Sequence, residues 1–324
     1  MSPVPAAPAA RTAIAESAFR WACGLDVAAR KPGNVSQASP GHGMQAGQFL
    51  ASAQAAARPL CRAGARVGER IEAAVRASWQ AAGCNTNLGI VLLCAPLAAA
   101  HGSWQPDDGE GAAGLRSALR RVLERLDVQD AAAAYRAIAL AHPGGLGSAP
   151  EQDVAGAPTV GLREAMALAA GRDRIAWQYV HAHADVFEVA LPAFRAAGRR
   201  ARAAGAAHAA AQALSMQAAF LALLCACPDS HIVRKHGAAA AHIVMSEAAP
   251  WAAQAAAAVS PLAGAAFADW DDSLKARGLN PGTTADMSVA AAFAAALCGD
   301  SVLTPSAGGM NPVSTDAAAR RRRQ

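Results

Sequence analysis

Apolar residues fall along this chain in long alanine-rich blocks, broken by short stretches that gather Gly, Pro and small polar residues. No segment alternates apolar and polar residues with the period of two that a half-buried strand requires. The blocks predict helices over about 12–30, 48–62, 67–82, 87–101, 113–126, 129–141, 161–171, 173–184, 186–204, 207–226, 238–256, 261–276 and 285–299. The first stops short of Pro32, because the residue before a proline resists the helical conformation. No repeat recurs at a fixed period, which argues against a solenoid. The expectation is an all-α fold of roughly a dozen helices, one domain over 12–300 with flexible ends at 1–11 and 301–324.

Composition supports the helical reading. Alanine, the best helix former, dominates, while β-branched and aromatic residues are sparse. With 53% apolar and 16% charged residues, 324 residues can bury a sizeable core. The net charge of +5 is partly carried by a terminal RRRRQ without interleaved aromatics, a solvated end and not a nucleic-acid surface. The N-terminus lacks the basic and apolar regions of a signal peptide. The longest apolar run, Leu88 to Ala100, holds Pro96 and falls short of the ~20 residues a membrane span needs. Seven cysteines without framework spacing fit a reducing cytoplasm. Cys225 and Cys227 are too close for the usual zinc pair and are expected in the core.

Five loops hold nearly all the unusual polar chemistry: 31–44, 83–89, 142–153, 228–237 and 280–286. Loops on a rigid scaffold are where binding residues concentrate. In RKPGNVS, Lys31 offers a cation, and Asn34 and Ser36 short donors or acceptors, although the stretch also works as a plain helix stop. Asn85, Thr86 and Asn87 stand where a helix begins, so they either cap it or draw an anion to its free N–H groups. Gly89 allows close approach of a ligand or another backbone. In PDSHIVRKHG, Asp229 or Ser230 can cap a short helix, on which His231, Arg234 and Lys235 share one face. That face suits a phosphate-rich ligand, and equally a solvated basic turn. Thr283 and Asp286 have capping-box spacing, while Asp286 is also an oxygen donor for Mg²⁺. Glu151 and Asp153 add loop acids.

Taken in order, KPGNVS followed by FLASA, then NTNLG, DSHIVRKHG and NPGTTADM, resemble the landmarks of the triphosphoribosyl-dephospho-CoA synthase family, which serves citrate lyase and malonate decarboxylase. The resemblance spans about residues 12–300 and implies an all-helical, Mg²⁺-dependent transferase. Such an enzyme joins C1 of the ATP ribose to a hydroxyl of dephospho-CoA and releases adenine. By resemblance, Lys31, Arg234 and Lys235 face phosphates, and Asn34, Asn85 and Thr86 face ribose or phosphate. Ser36, Asn87, His236 and Thr283 complete the substrate set. Asp229, Asp286 and His231 are the catalytic candidates, with both acids also candidate metal ligands.

Three positions depart from the family pattern. Its His-Lys after Asn-Thr is Asn87-Leu88, the acid expected before Met44 is Gly43, and its late Gly-Ser is Thr283-Thr284. The variant motifs look closer to a branch found where methanopterin-type cofactors are made, so a pterin precursor is the alternative acceptor. A non-catalytic nucleotide-binding protein is the alternative of another class. A homodimer is compatible with each.

Overall fold

The computed structural model describes residues 8–144, 147–149 and 151–300. Among these, fourteen α-helices account for the architecture and no strand pairs into a sheet. The expected flexible segments 1–7 and 301–324 lie outside the described residues, but 8–11 are already helical, since α1 runs Pro8–Ala28. Helices α2 to α6 are Ala46–Leu60, Val67–Ala82, Leu88–Gly102, Gly111–Glu124 and Val128–Ala141. After the loop that follows α6 come α7 (Leu162–Ala169), α8 (Arg174–Val180), α9 (Leu191–Ala203) and α10 (His208–Ala226). The last four are α11 (Ser230–His236), α12 (Ala238–Ala257), α13 (Ala265–Ala276) and α14 (Gly282–Leu297).

Two sequence expectations change. The helix foreseen at 173–184 stops at Val180, because Ala182 and His183 take left-handed φ values of 49° and 51°. The chain re-enters helix through a π-helical turn, Val186–Ala190, with Pro192 tolerated in the first turn of α9.

Three helices are apolar on every side and form the interior: α4, α10 and α14. A helix without a polar face must be enclosed by others. Helix α14 packs on α1, α4 and α10, while α4 is flanked by α3 and α5. Helix α10 is the seam of the core. Its Met216, Ala219 and Leu223 join the cluster built on α1–α8, the π turn, the start of α9 and α14, and its Leu214, Phe220, Leu221 and Leu224 join a second built mainly on α9 to α13. By length and hydropathy α10 is the one described helix able to cross a membrane, a longer candidate than Leu88–Ala100, and 61% of that stretch is buried inside the fold.

Candidate active site

The site starts from how the loops are tied together. Gly33, at φ 79°, lets its loop lie on the chain after α13. A Cβ there would stand 2.6 Å from the Leu279 carbonyl, and its N–H donates to Asp271 at 2.9 Å. Asn34 then donates to the Asn280 side chain at 2.9 Å. Asp229 binds α11 to α14. Its Oδ1 accepts from the His231 and Ile232 amides at 2.9 and 3.0 Å, capping α11, and its Oδ2 accepts from the N–H and hydroxyl of Thr284, both at 2.8 Å. Ser230 Oγ and Thr283 Oγ1 add a buried contact at 3.0 Å.

With these ties, all five polar loops reach one cavity of about 550 Å³, at the N-terminal ends of α4, α8 and α14. Asn34, Asn85, Thr86, Asn87, His231, Arg234, Lys235, Thr283 and Asp286 all line it. Four other candidates do not. Lys31 turns inward from the end of α1 and is fully buried, donating to the Asp26 carbonyl at 2.6 Å and pairing with its Oδ1 at 3.1 Å. Ser36 is buried in a bridge with Ser39. His236 points out to the Gly278 carbonyl at 3.1 Å. Asp229 spends four acceptor positions on backbone and Thr284, which leaves it a structural tie and removes it from the metal and base candidates. Asp229→Ala is therefore expected to lower stability by about 2–4 kcal/mol, the sum of a lost cap and buried groups left unpaired, as read by urea denaturation.

Two helix starts differ from their sequence reading. Asn87 is the residue at the α4 cap, yet the bond to the first turn comes from Asn85, whose Oδ1 accepts from Leu88 N–H at 3.1 Å. Thr86 donates to Ser52 at 2.6 Å. Asn87 is buried, lines the cavity, and its side-chain Nδ2 has no hydrogen-bond partner. Thr283 is not the cap of α14, which begins at Gly282 after Pro281 without a side-chain cap.

The charges are arranged unequally. Arg234 is held by the Gly144 carbonyl at 3.0 Å and by Asp173 at 3.3 Å. Lys235 is exposed, and no carboxylate pairs with it among the described residues. His231 lies against Gly282, where a Cβ would overlap its Nδ1. Burial, then the Lys235 and Arg234 charges, lower its pKa to about 4, so at neutral pH the ring supplies hydrogen bonding without charge. Asp286 has its carboxylate against the first turn of α4, in the space a side chain at position 89 would fill. It keeps an edge open to the cavity but sits deep in the fold, and burial, then the charges of Asp26 and Asp229, push its pKa well up. Asp26, also lining the cavity, is raised by burial against the pull of Lys31.

Sequence reasoning missed Asp26, Asp173 and Asn280. Asp26 alone carried a signal, as a single acid in the apolar last turns of α1.

The fold is an all-α scaffold that brings cations, amides and carboxylates together in one cavity. The family model CitG, ATP:dephospho-CoA triphosphoribosyl transferase, matches residues 12–304. The chain belongs to this family, and it is a transferase. No curated protein matches it. Among solved structures it is similar to one from Archaeoglobus fulgidus, provisionally described as a triphosphoribosyl-dephospho-CoA synthase. The TM-score is 0.54 and the identity 22%, over 76% of this chain and 97% of that one. At that identity the likeness bears on the fold.

Proposed function

We propose that the cavity binds ATP and joins C1 of its ribose to a hydroxyl of dephospho-CoA, releasing adenine and leaving the triphosphate attached. The observation that carries this reading is the meeting of Arg234 and Lys235 with Asp286 in one cavity. Positive charge builds on the ribose as adenine departs, so the triphosphate must be held rigidly while the incoming hydroxyl loses its proton. Arg234, already oriented by Asp173, and Lys235 hold phosphate oxygens. Asn34, Asn85 and the unpartnered Asn87 amide donate to ribose or phosphate oxygens, and Thr86 Oγ1, whose proton goes to Ser52, accepts from a ribose hydroxyl. Asp286, whose carboxyl is made more basic by burial and by the charges of Asp26 and Asp229, accepts the hydroxyl proton.

The donor set fits Mg²⁺. Asp26 and Asp286 are oxygen donors lining the same cavity, and among the described residues no cluster of three or more His, Cys, Asp or Glu forms a dedicated cage. Mg²⁺ is commonly held by one or two carboxylates plus substrate phosphates. Bound by Asp26 and Asp286, it would neutralise charge on the triphosphate.

The test is chromatographic detection of adenine from ATP, with dephospho-CoA or a pterin precursor bearing a free hydroxyl as acceptor. Adenine released only with dephospho-CoA supports the reading. Release only with the pterin moves the chain to the other acceptor, and ATP binding without release under either leaves a nucleotide-binding protein. Lys235→Ala is expected to weaken ATP binding and adenine release by roughly 10- to 150-fold, through loss of a charge-assisted bond of ~1.5–3 kcal/mol. Wild-type values in both assays would return Lys235 to the solvent.

A further inference from the structure

A second cavity, of about 410 Å³, opens at the opposite end of α4 and shares no lining residue with the first. Helix α4 gives Leu88 and Gly89 to one and His101 and Gly102 to the other, roughly 15–20 Å apart along its axis at 1.5 Å per residue. The remaining walls come from the start of α1, the turn after α2, the first turn of α3, the end of α5 with the turn after it, and Asp130 at the start of α6.

This cavity is strongly basic. Arg11, Arg66, Arg70 and Arg125 line it, and its one lining acid is Asp130. Asp130 is already engaged by Arg66 at 2.8 Å and by the Gly68 N–H at 2.8 Å. No carboxylate pairs with Arg11, Arg70 or Arg125 among the described residues. Arg11 donates to the Trp104 carbonyl at 2.8 Å and to those of Gly102 and His101 at 3.3 and 3.4 Å. Arg70 is only 4% exposed and donates to the Leu60 and Ala65 carbonyls at 2.8 and 3.0 Å. Capping the ends of α4 and α2 accounts for those hydrogen bonds, but a carbonyl does not neutralise a guanidinium, and a buried charge is costly unless paired.

His101 supplies the independent sign. It lines the cavity, is 8% exposed, and neither ring nitrogen has a hydrogen-bond partner. Burial, then the Arg11 charge, lower its pKa to about 4, so the ring is neutral and holds one N–H to donate. An unpartnered donor, the buried Arg70 guanidinium and the half-buried Arg11 lack the same thing, an acceptor that carries negative charge, and Arg125 adds a solvated cation at the rim.

We infer that this cavity is a second binding site, taking a small multiply charged oxyanion of the phosphate-ester or polycarboxylate type. Guanidinium groups grip such anions in pairs of bonds. The volume is within the range of small-molecule sites.

The experiment is calorimetric titration of the full chain with pyrophosphate and, separately, with tricarballylate. Pyrophosphate is expected to bind in two events. Lys235→Ala weakens one of them, and Arg125→Glu weakens the other at least tenfold. Arg125 is exposed, so its variant keeps wild-type helicity, checked by circular dichroism. Whichever anion binds more tightly at the Arg125-dependent event identifies the chemistry. On the unaltered protein, backbone hydrogen exchange at 61–70 and 98–103 slows when that event saturates. A single event that depends on Lys235, titrations unmoved by Arg125→Glu, or unchanged exchange in those segments would overturn the site. Loss of only the Lys235-dependent event counts against the proposed function and leaves this site standing.

Discussion

Asp286→Asn is expected to cut adenine release by about 10²–10⁴-fold, the range removed with a general base, while leaving helicity and metal-free ATP binding nearly intact. Among the acids of the cavity, Asp286 alone combines a raised pKa with the absence of a hydrogen bond or ion pair to any described residue. Asp26 is tied to Lys31, Asp153 accepts from two backbone amides, and Asp173 caps α8. The same carboxyl has a signature in stability. Its folded pKa lies above its unfolded value, so from about pH 3.8 upward the folded state keeps a proton that the unfolded chain has lost. Stability from this group is thus complete below its unfolded pKa and declines as pH rises through the folded pKa. Asn carries no such penalty. Urea denaturation should show Asp286→Asn gaining on the wild type as pH rises above the unfolded value of about 3.8. A constant difference across that rise would mean the carboxyl is not strained by burial. Wild-type turnover would remove it from the proton transfer.

The helices were legible because their signals are local. Alanine-rich blocks favour helix wherever they occur, and Pro32, Gly83 and Gly237 end or divide them at the expected places. Which polar loops share a cavity was legible only as a set, through the order of motifs. What each side chain does there was hidden, because it depends on partners far along the chain. Lys31 is a cation after a helix in either reading, and Asp26 five residues earlier takes it out of the cavity. Asp229 read as a cap that could also serve chemistry, until Thr284, 55 positions away, filled its second oxygen. Asn85 and Asn87 are the same residue type two positions apart. Only the backbone path decides that one accepts from the helix and the other keeps a free amide.

That dependence on distant contacts also bears on Gly89, where one added carbon is expected to cost as much activity as an altered functional group. A Cβ at position 89 would stand 2.7 Å from Ile175 Cδ1 and overlap Asp286 Oδ2. Helix propensity alone favours the change by about 1 kcal/mol, since Ala is preferred to Gly inside a helix. Displacing a packed carboxyl opposes it, at about 1–3 kcal/mol for overpacking. The chemistry is more sensitive than the fold, because a shift near 1 Å in a reacting group costs on the order of 10²-fold in rate. Gly89→Ala should therefore lose roughly hundredfold in adenine release with a modest fall in stability. The double variant separates the two causes. In an Asp286→Ala background the carboxyl is gone, so Gly89→Ala should cost little in stability, or even add to it through propensity, with only the Ile175 contact to accommodate. If Gly89→Ala costs the same in both backgrounds, the clash lies with Ile175 and α8. Asp286 then owes its position to something other than the missing side chain on α4.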